Sequence, residues 1–589
     1  MEDKLRQIEK VIDEYHKGFP VFKFNRDTVI INMLRVYEDA IRLGGLLVMN
    51  SPQMNNIYIN GKADCLDMAI RWAYQCCEDD TACKNYNLNE ELYQMISLDV
   101  FVNASKYRTI CDAYSLWSRN RQTAKISDSG LTVTFNYVKN TKGEIEAYDF
   151  IRGNDKKNNF MKDSKMDEFV NKIPELKRMI SSNTTVDCNN NVCYKITENI
   201  WQNVYKLTQY IIEDISELPE EWQFKSFSLK EYKDFWRALL TLAFIHSLAC
   251  MSSTAKGYGL KSCVIIKKYE ELEEIFLKRT NLSKERIRAI IEFITYNPKL
   301  TNVDIVWQPL IKLSTSDYAI SPSLIMSSSY ERNIISLINK VDQKSYSKIS
   351  STKEKIMAYE IKKKLKKYIN LKSAFHRPLP EPLPDMDIVL YDNITKTLIT
   401  GELKWLIATD SIQEVCARDD DIKKGIEQVK LIKKYIANNL SDTLNRAFGN
   451  RNYEVKNVFS CVITKNNVGT SENEENISVI NEDSFFSLLE KYNGNLQQVG
   501  IAIKQKEYYP VLNNDYKVIK NGIKYAGYTF QVDSIEIIDK SIESSSNCQC
   551  DFNETKFWHN KNNNLCINKV TNKRLRKMKK KSKKKNRKK

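Results

Sequence analysis

The sequence lacks the motifs of several large enzyme classes and has little histidine. It contains four histidines in 589 residues. Three of them, His16, His246 and His376, stand far apart along the chain, so no histidine-based catalytic cluster is visible. There is no Gly-x4-Gly-Lys-Ser/Thr loop, no His-Glu-x-x-His pair and no dinucleotide-binding glycine fingerprint. Any step driven by nucleoside triphosphates must therefore come from another protein.

Long apolar segments are also missing. No run reaches the roughly 18 residues needed to span a bilayer, and the most apolar segment, 235–250, is interrupted by Arg237 and His246, which predicts a buried helix. The 14 cysteines come without an N-terminal signal peptide, which favours reduced thiols over a disulfide framework. We expect a cytoplasmic protein of about two to four domains, without a membrane segment.

Basic charge is concentrated at one end of the chain. Overall, 91 Lys and Arg stand against 74 Asp and Glu, and residues 569–589 hold 14 of the basic residues and no acidic one. Such a segment repels itself, so we expect it to be disordered and to bind nucleic-acid phosphates in a salt-dependent way. A solubility tail or a localisation signal is the alternative. The candidate nucleic-acid-binding residues are Lys573, Arg574, Arg576, Lys577, Lys579, Lys580 and Lys581.

Four candidate zinc ligands precede this tail. They are Cys548, Cys550, His559 and Cys566. Four soft or borderline ligands within 19 residues are enough for a small tetrahedral Zn²⁺ knuckle with a structural role. The spacing of the first three resembles the small zinc module at the tail of bacterial protein-translocation ATPases. That module has a glycine after its second cysteine and has its last two ligands next to each other in the sequence, whereas Asp551 and Asn560 stand at these positions here. Cysteines that bind no metal are the alternative.

A predicted β-hairpin carries two acids and a lysine. Its β-rich runs span 384–392 and 398–405 on either side of a polar turn. If the strands pair about the centre of that turn, Asp387 lies opposite Glu402, and Lys404 shares the face of Glu402 because side chains alternate along a strand. Neighbouring carboxylates repel each other, and Mg²⁺ or Mn²⁺ removes that repulsion. This residue set is typical of metal-assisted phosphodiester hydrolysis.

These residues resemble the PD-(D/E)XK nuclease superfamily. Pro384-Asp385 or Asp387 supplies the first acid of the pattern, and Glu402-Leu403-Lys404 supplies its second half. The resemblance covers roughly residues 330–500. It implies a restriction-endonuclease-like αβββαβ core and a metal-dependent nuclease, with DNA as the expected substrate and bacterial restriction, anti-phage defence or repair as the expected role.

The elements predicted on either side of the hairpin follow the family's order. A helix at 352–369 precedes it, with Glu360 at the edge of its apolar stripe. A helix at 421–437 follows it, with Gln428 one place round from its stripe. Strands at 457–463 and 477–480 and a helix at 484–491 come next.

The resemblance implies a role for each candidate residue. Asp387 and Glu402 would bind the metal, with the backbone carbonyl of Leu403 as a third ligand, and Lys404 would orient or help deprotonate the attacking water. Asp385 is a reserve ligand. The candidate metal ligands are Asp387, Glu402, Leu403, Glu360 and Asp385, and the candidate catalytic residues are Asp387, Glu402, Lys404 and Gln428.

Two other interpretations of this pattern stand beside the nuclease. An ordinary hairpin with a solvated charged face would show the same residues. Glu454-Val455-Lys456 is a competing Glu-x-Lys, but no acid-bearing strand lies at hairpin distance before it.

The whole sequence predicts an α/β (α+β) multidomain protein with a mostly helical N-terminal half. The expected regions are a helical recognition or partner region at 1–300, a connecting hairpin at 301–330, the nuclease-like domain at 331–505, a small β-rich extension at 506–546, the zinc knuckle at 547–568 and the basic tail at 569–589. The helical half is a candidate surface for a protein partner or a homo-oligomer. The alternative functions are a catalytically inactive nucleic-acid-binding protein of the same fold and an interaction scaffold.

Overall fold

The chain folds into two compact units of mixed helix and sheet. The computed structural model describes residues 2–48, 52–78, 86–138, 147–148, 151, 164–189, 191–215, 218–252, 259–300, 303–409, 412–449, 453–466 and 477–538. The predicted zinc ligands and the basic tail lie outside these residues. The described residues of the C-terminal unit are Glu2 and those within 109–157 and 338–540, and the described residues of the N-terminal unit lie within 3–108 and 158–337.

Helices make up most of the N-terminal unit. The α-helices with described bounds, over both units, are α1 (Glu2–Glu14), α2 (Arg26–Val48), α3 (Pro52–Cys76), α4 (Glu90–Met95), α5 (Phe101–Ser118), α6 (Ser164–Ser181), α7 (Glu198–Ile215), α8 (Leu229–Ser252), α9 (Gly259–Ser262), α10 (Tyr269–Arg279), α11 (Lys284–Phe293), α12 (Pro322–Ser327), α13 (Tyr330–Val341), α14 (Gln343–Leu365), α15 (Ile412–Asn438), α16 (Leu440–Phe448), α17 (Glu482–Lys491) and α18 (Leu496–Lys504). Among the helices of the described ranges, none combines the length and apolarity needed to cross a membrane.

The strands form four sheets within the part of the chain that the structure describes. They are β1 (Gln122–Ile126), β2 (Thr132–Tyr137), β3 (Thr184–Val186), β4 (Val192–Tyr194), β5 (Ile265–Lys268), β6 (Leu310–Lys312), β7 (Asp317–Ile320), β8 (Leu371–Arg377), β9 (Met386–Asp392), β10 (Thr397–Lys404), β11 (Asn457–Thr464), β12 (Ser478–Asn481), β13 (Tyr516–Tyr525) and β14 (Tyr528–Ile537). The largest sheet has the order β12-β11-β10-β9-β8.

The predicted buried helix is the centre of the N-terminal unit. It is α8, which buries Phe235, Trp236 and Leu239 almost completely. His246 is buried on the same helix, with one ring nitrogen 2.8 Å from the Tyr194 hydroxyl and the other 2.8 Å from the Ser262 carbonyl oxygen. These partners satisfy both ring nitrogens, so this histidine has a structural role.

The predicted connecting hairpin belongs to the N-terminal unit. Strands β6 and β7 pair as an antiparallel hairpin, and β5 pairs with the other edge of β7 to give a three-stranded sheet. Strand β5 thus pairs the second edge of β7, which would otherwise be left exposed, and the hairpin becomes part of a sheet of the N-terminal unit.

The five-stranded sheet is covered on both faces. All seven residues of β9 are buried. Ile388 and Leu390 belong to one hydrophobic cluster and Val389 and Tyr391 to another, as strand alternation requires. Helices α14, α15, α17 and α18 contribute to the first cluster, and α15 and α16 to the second. This continuous apolar run therefore belongs to a strand in the middle of a layered sheet.

The two helices that flank the hairpin begin earlier than predicted, at Gln343 and Ile412, and α14 ends at Leu365, before the predicted end at 369. The buried positions Met357, Ile361 and Leu365 of α14 are those of the predicted stripe. The helix begins at Gln343 because the Asp342 side chain accepts a hydrogen bond from the Ser345 amide at 3.2 Å, which caps it. The apolar spacing thus located the helix, and the cap determined its start.

A four-stranded sheet joins distant parts of the C-terminal unit. Its order is β1-β2-β14-β13, and β14 pairs with β2 in parallel. The segment at 122–137 therefore folds with 516–537, although the sequence placed the two in separate regions. The alternation of apolar residues within a segment indicates that the segment forms a strand, but it does not identify the strand with which that segment pairs.

Candidate active site

The hairpin of β9 and β10 brings Asp387 and Glu402 together. The antiparallel ladder runs from Asp392 opposite Thr397 to Ile388 opposite Gly401, which is the predicted register. Asp387 and Glu402 are the next residues beyond the last of these pairs. The Leu403 amide donates a hydrogen bond to Oδ2 of Asp387 at 2.9 Å, which ties the acid to the neighbouring strand.

Lys404 lies beside these two acids. Its Nζ donates a hydrogen bond to Oε1 of Glu402 at 2.7 Å and stands 3.8 Å from Oε1 of Glu354 on α14. The lysine stem lies against Gly425 of α15, where a Cβ would be 3.2 Å from its Cε. Helices α14 and α15 and the strand β10 therefore position this ammonium group.

Burial and mutual repulsion shape the electrostatics of the site. Burial, followed by the charge of Asp387, holds the pKa of the Glu402 carboxyl well above its usual range. Burial alone would lower the pKa of Lys404, but the carboxylates of Glu402 and Glu354 more than offset it, so that pKa is raised. Lys404 therefore keeps its proton at neutral pH and acts as a fixed positive charge and hydrogen-bond donor.

The remaining predicted site residues are placed as follows. Asp385 is exposed and precedes the first residue of β9. Gln428 is half-buried and lies three positions after Gly425, so it shares the face of α15 that meets Lys404. The Leu403 side chain is buried in the core, as a backbone ligand would allow.

Glu360, one of the predicted metal ligands, lies in a different charge cluster. Its Oε2 accepts a hydrogen bond at 2.8 Å from Lys465, a lysine that also donates to the buried Glu482 at 3.3 Å. The helical acid near Lys404 is Glu354, one and two-thirds turns earlier. The two acids point in different directions because six residues turn an α-helix by about 240° beyond a full revolution.

Sequence reasoning missed two residues of the site. Glu354 precedes Met357 at the spacing of the buried stripe, so a charge at an apolar position was its signal. His376 of β8 lies with its Nδ1 3.4 Å from Oδ1 of Asp387. No local pattern indicated His376, because its position depends on the pairing of β8 with β9.

The acids suit a hard divalent cation only in part. Within the described residues, no group of three or more His, Cys, Asp or Glu side chains is arranged to hold a metal ion. Oε2 of Glu402, however, is buried and has no hydrogen-bond partner among those residues. Such an oxygen beside a second carboxylate fits Mg²⁺, which binds one or two carboxylates and keeps several waters.

The competing Glu-x-Lys lies at the surface. Glu454 and Lys456 are both largely exposed, with Nζ and Oε1 3.6 Å apart. An exposed pair of this kind contributes little to stability and is not shielded from solvent. The buried pair of Glu402 and Lys404 is therefore the stronger candidate.

Comparisons of this chain with protein-family models, with curated proteins and with solved structures found no match. The function of the chain is therefore inferred from the geometry of this site.

Proposed function

We propose that this chain is a metal-dependent nuclease of the PD-(D/E)XK type that hydrolyses phosphodiester bonds of DNA. One observation carries the proposal: Asp387, Glu402 and Lys404 meet at the ends of two paired strands, and the ammonium lies 2.7 Å from one acid. The element order α14, β8, β9, β10, α15, β11 supports it, since this is the αβββαβ order that the resemblance implies.

Asp387 and Glu402 would hold the cation, with the Leu403 carbonyl as a further oxygen ligand. A divalent cation bound there would supply a water of lowered pKa and would neutralise phosphate charge. The Leu403 amide holds Oδ2 of Asp387 in place, so Oδ1 would be the oxygen that contacts the cation. Oε2 of Glu402 accepts no hydrogen bond from the described residues, so none of their donors would compete with the cation for it.

Lys404 would stabilise the negative charge that develops on the phosphorane. Its raised pKa keeps it charged, so it acts as a donor and not as a base. The carboxylates of Glu402 and Glu354 hold the ammonium between β10 and α14. A preorganised charge of this kind needs no rearrangement when the transition state forms.

The test is cleavage of plasmid, linear DNA, single-stranded DNA and RNA by wild type and Lys404→Ala, with Mg²⁺, Mn²⁺ or EDTA. We expect Lys404→Ala to lower the rate by roughly 100- to 1,000-fold, as the loss of one transition-state donor does. Lys456→Ala is the matched control, since it removes the exposed lysine of the competing Glu-x-Lys. Equal rates for wild type and Lys404→Ala would refute the mechanism.

The second candidate is an inactive nucleic-acid-binding protein of the same fold. The basic segment at 569–589 favours it independently of the site, because it suits phosphate backbones whether or not cleavage follows. Binding without cleavage under all these conditions would support this alternative.

A further inference from the structure

A histidine of the edge strand β8 faces the candidate metal ligand Asp387. In the antiparallel ladder Phe375 pairs with Ile388 and Arg377 with Met386, so His376 falls directly opposite Asp387. Its Nδ1 is 3.4 Å from Oδ1 of Asp387. The side chains of opposed residues lie on the same face of a sheet, so this contact follows from the register.

The backbone of His376 has an unusual conformation. Its φ is +47°, in the left-handed region that residues other than glycine seldom adopt within a strand. The neighbours on both sides remain paired with β9, so the departure is confined to one residue. A conformation of this kind is unfavourable and persists only where its surroundings impose it, which is common at functional sites.

The two oxygens of Asp387 have different partners. Oδ2 accepts the Leu403 amide hydrogen at 2.9 Å, and Oδ1 faces the histidine ring. A carboxylate held at one oxygen alone can still rotate about its last side-chain bond, because that torsion has broad minima. The second contact, from His376 to Oδ1 at 3.4 Å, restricts this rotation.

The Nε2 atom of the ring is shielded from solvent, and the His376 side chain as a whole is partly exposed. Nε2 has no hydrogen-bond partner among the described residues. The carboxylate of Glu354 on α14 lies near enough to interact with the ring electrostatically. The ring therefore contacts the acid of β9 and lies within electrostatic range of an acid on α14.

We propose that His376 is a positioning residue that orients the Asp387 carboxylate for a divalent cation. The inference rests on the proposed function. The strand register places His376 opposite the acid, and Nδ1 of its ring lies 3.4 Å from Oδ1. The ligand would be a hard divalent cation, which Asp387 would bind directly, and His376 would influence its binding by orienting Asp387.

Three substitutions of His376 distinguish the effect of losing the imidazole ring from the effect of the left-handed backbone conformation. His376→Gly removes the ring and relieves the left-handed conformation, because glycine adopts positive φ readily. His376→Ala removes the ring and keeps the strain. His376→Asn restores an N–H donor near the Nδ1 position, on a residue that tolerates the left-handed region.

The first measurement is Mn²⁺ affinity by isothermal titration calorimetry without nucleic acid. We expect His376→Gly and His376→Ala to weaken Mn²⁺ binding by roughly 10- to 100-fold, which is typical of losing a residue that orients a ligand. His376→Asn should recover most of the affinity. The thermal unfolding midpoint should fall for His376→Ala and stay near wild type for His376→Gly.

The second measurement is kcat and KM for DNA cleavage, where we expect a lower kcat and little change in KM. If His376→Gly bound Mn²⁺ as tightly as the wild type, the positioning role of His376 would be overturned and the proposed nuclease function would stand. An Asn variant as weak as the Gly variant would also overturn the positioning role, since ring packing and not an oriented donor would then matter. A wild type that neither binds Mn²⁺ nor cleaves would overturn the proposed function, and the inference with it.

Discussion

The stem of Lys404 lies against Gly425, where a Cβ would stand 3.2 Å from Cε and 3.3 Å from Cγ of the lysine. A helix interior ordinarily favours alanine over glycine by about 1 kcal/mol. Here the space that glycine leaves is filled by the side chain that we propose to contact the phosphate. Helix propensity therefore favours alanine at position 425, whereas the position of the Lys404 side chain favours glycine.

Gly425→Ala should displace Lys404 by a few tenths of an ångström. We expect kcat to fall by about 10-fold, since a 1 Å misplacement costs roughly 100-fold. Stability should change by less than about 1 kcal/mol, because the gain in helix propensity offsets the crowding. Gly61→Ala is the control, as that glycine lies in α3 with nothing within 4 Å of the added Cβ. An unchanged kcat in Gly425→Ala would show that the lysine tolerates the contact.

Glu354→Gln should affect catalysis, whereas Glu360→Gln should affect stability. Glu354→Gln should lower kcat by roughly 10-fold, since it removes a charge that holds Lys404. Glu360→Gln should leave kcat unchanged and lower the free energy of unfolding by about 1 to 2 kcal/mol, because Lys465 loses a charged partner. Urea denaturation and cleavage kinetics measure the two effects. The reverse pattern would make Glu360 the helical acid of the site.

Mg²⁺ or Mn²⁺ should stabilise the wild type against heat. A ligand at about 100 times its Kd adds about 2.7 kcal/mol to the free energy of unfolding. EDTA should abolish the shift, and so should Asp387→Ala. Asp385→Ala should retain it, because that acid is exposed outside β9. Equal shifts in wild type and Asp387→Ala would place the cation elsewhere.

Glu38 should make the N-terminal unit less stable as the pH rises. Burial raises the pKa of this carboxyl to about 7, against the lowering effect of hydrogen bonds from Ser321 and Ser323. The stabilising protonated form is fully present below about pH 4.5, and the contribution is lost as the pH rises through about 7. The loss is on the order of 3 kcal/mol. Urea denaturation at pH 5 and pH 8 should show this difference in wild type and not in Glu38→Gln.

Deletion of residues 569–589 should weaken nucleic-acid binding and flatten its salt dependence. The segment carries 14 basic residues, and each phosphate contact it makes releases condensed counterions. Fluorescence anisotropy between about 50 and 200 mM salt measures the slope. Replacing the same lysines and arginines by glutamine, at unchanged length, is the control for chain length. An unchanged slope in both variants would assign the segment to solubility.

The sequence by itself determined the hairpin and the helices around it. The polar turn between two β-rich runs centred the pairing and so set the register that brings Asp387 next to Glu402. The apolar spacing of α14 and α15 located their buried faces, since each helix must cover the sheet.

Tertiary structure alone decided which distant groups join that hairpin. It selected Glu354 over Glu360, placed His376 opposite Asp387 and paired 122–137 with 516–537. These choices depend on how separate segments pack in three dimensions. A local sequence pattern records which face of an element is buried, and it carries no information on the partner that covers it.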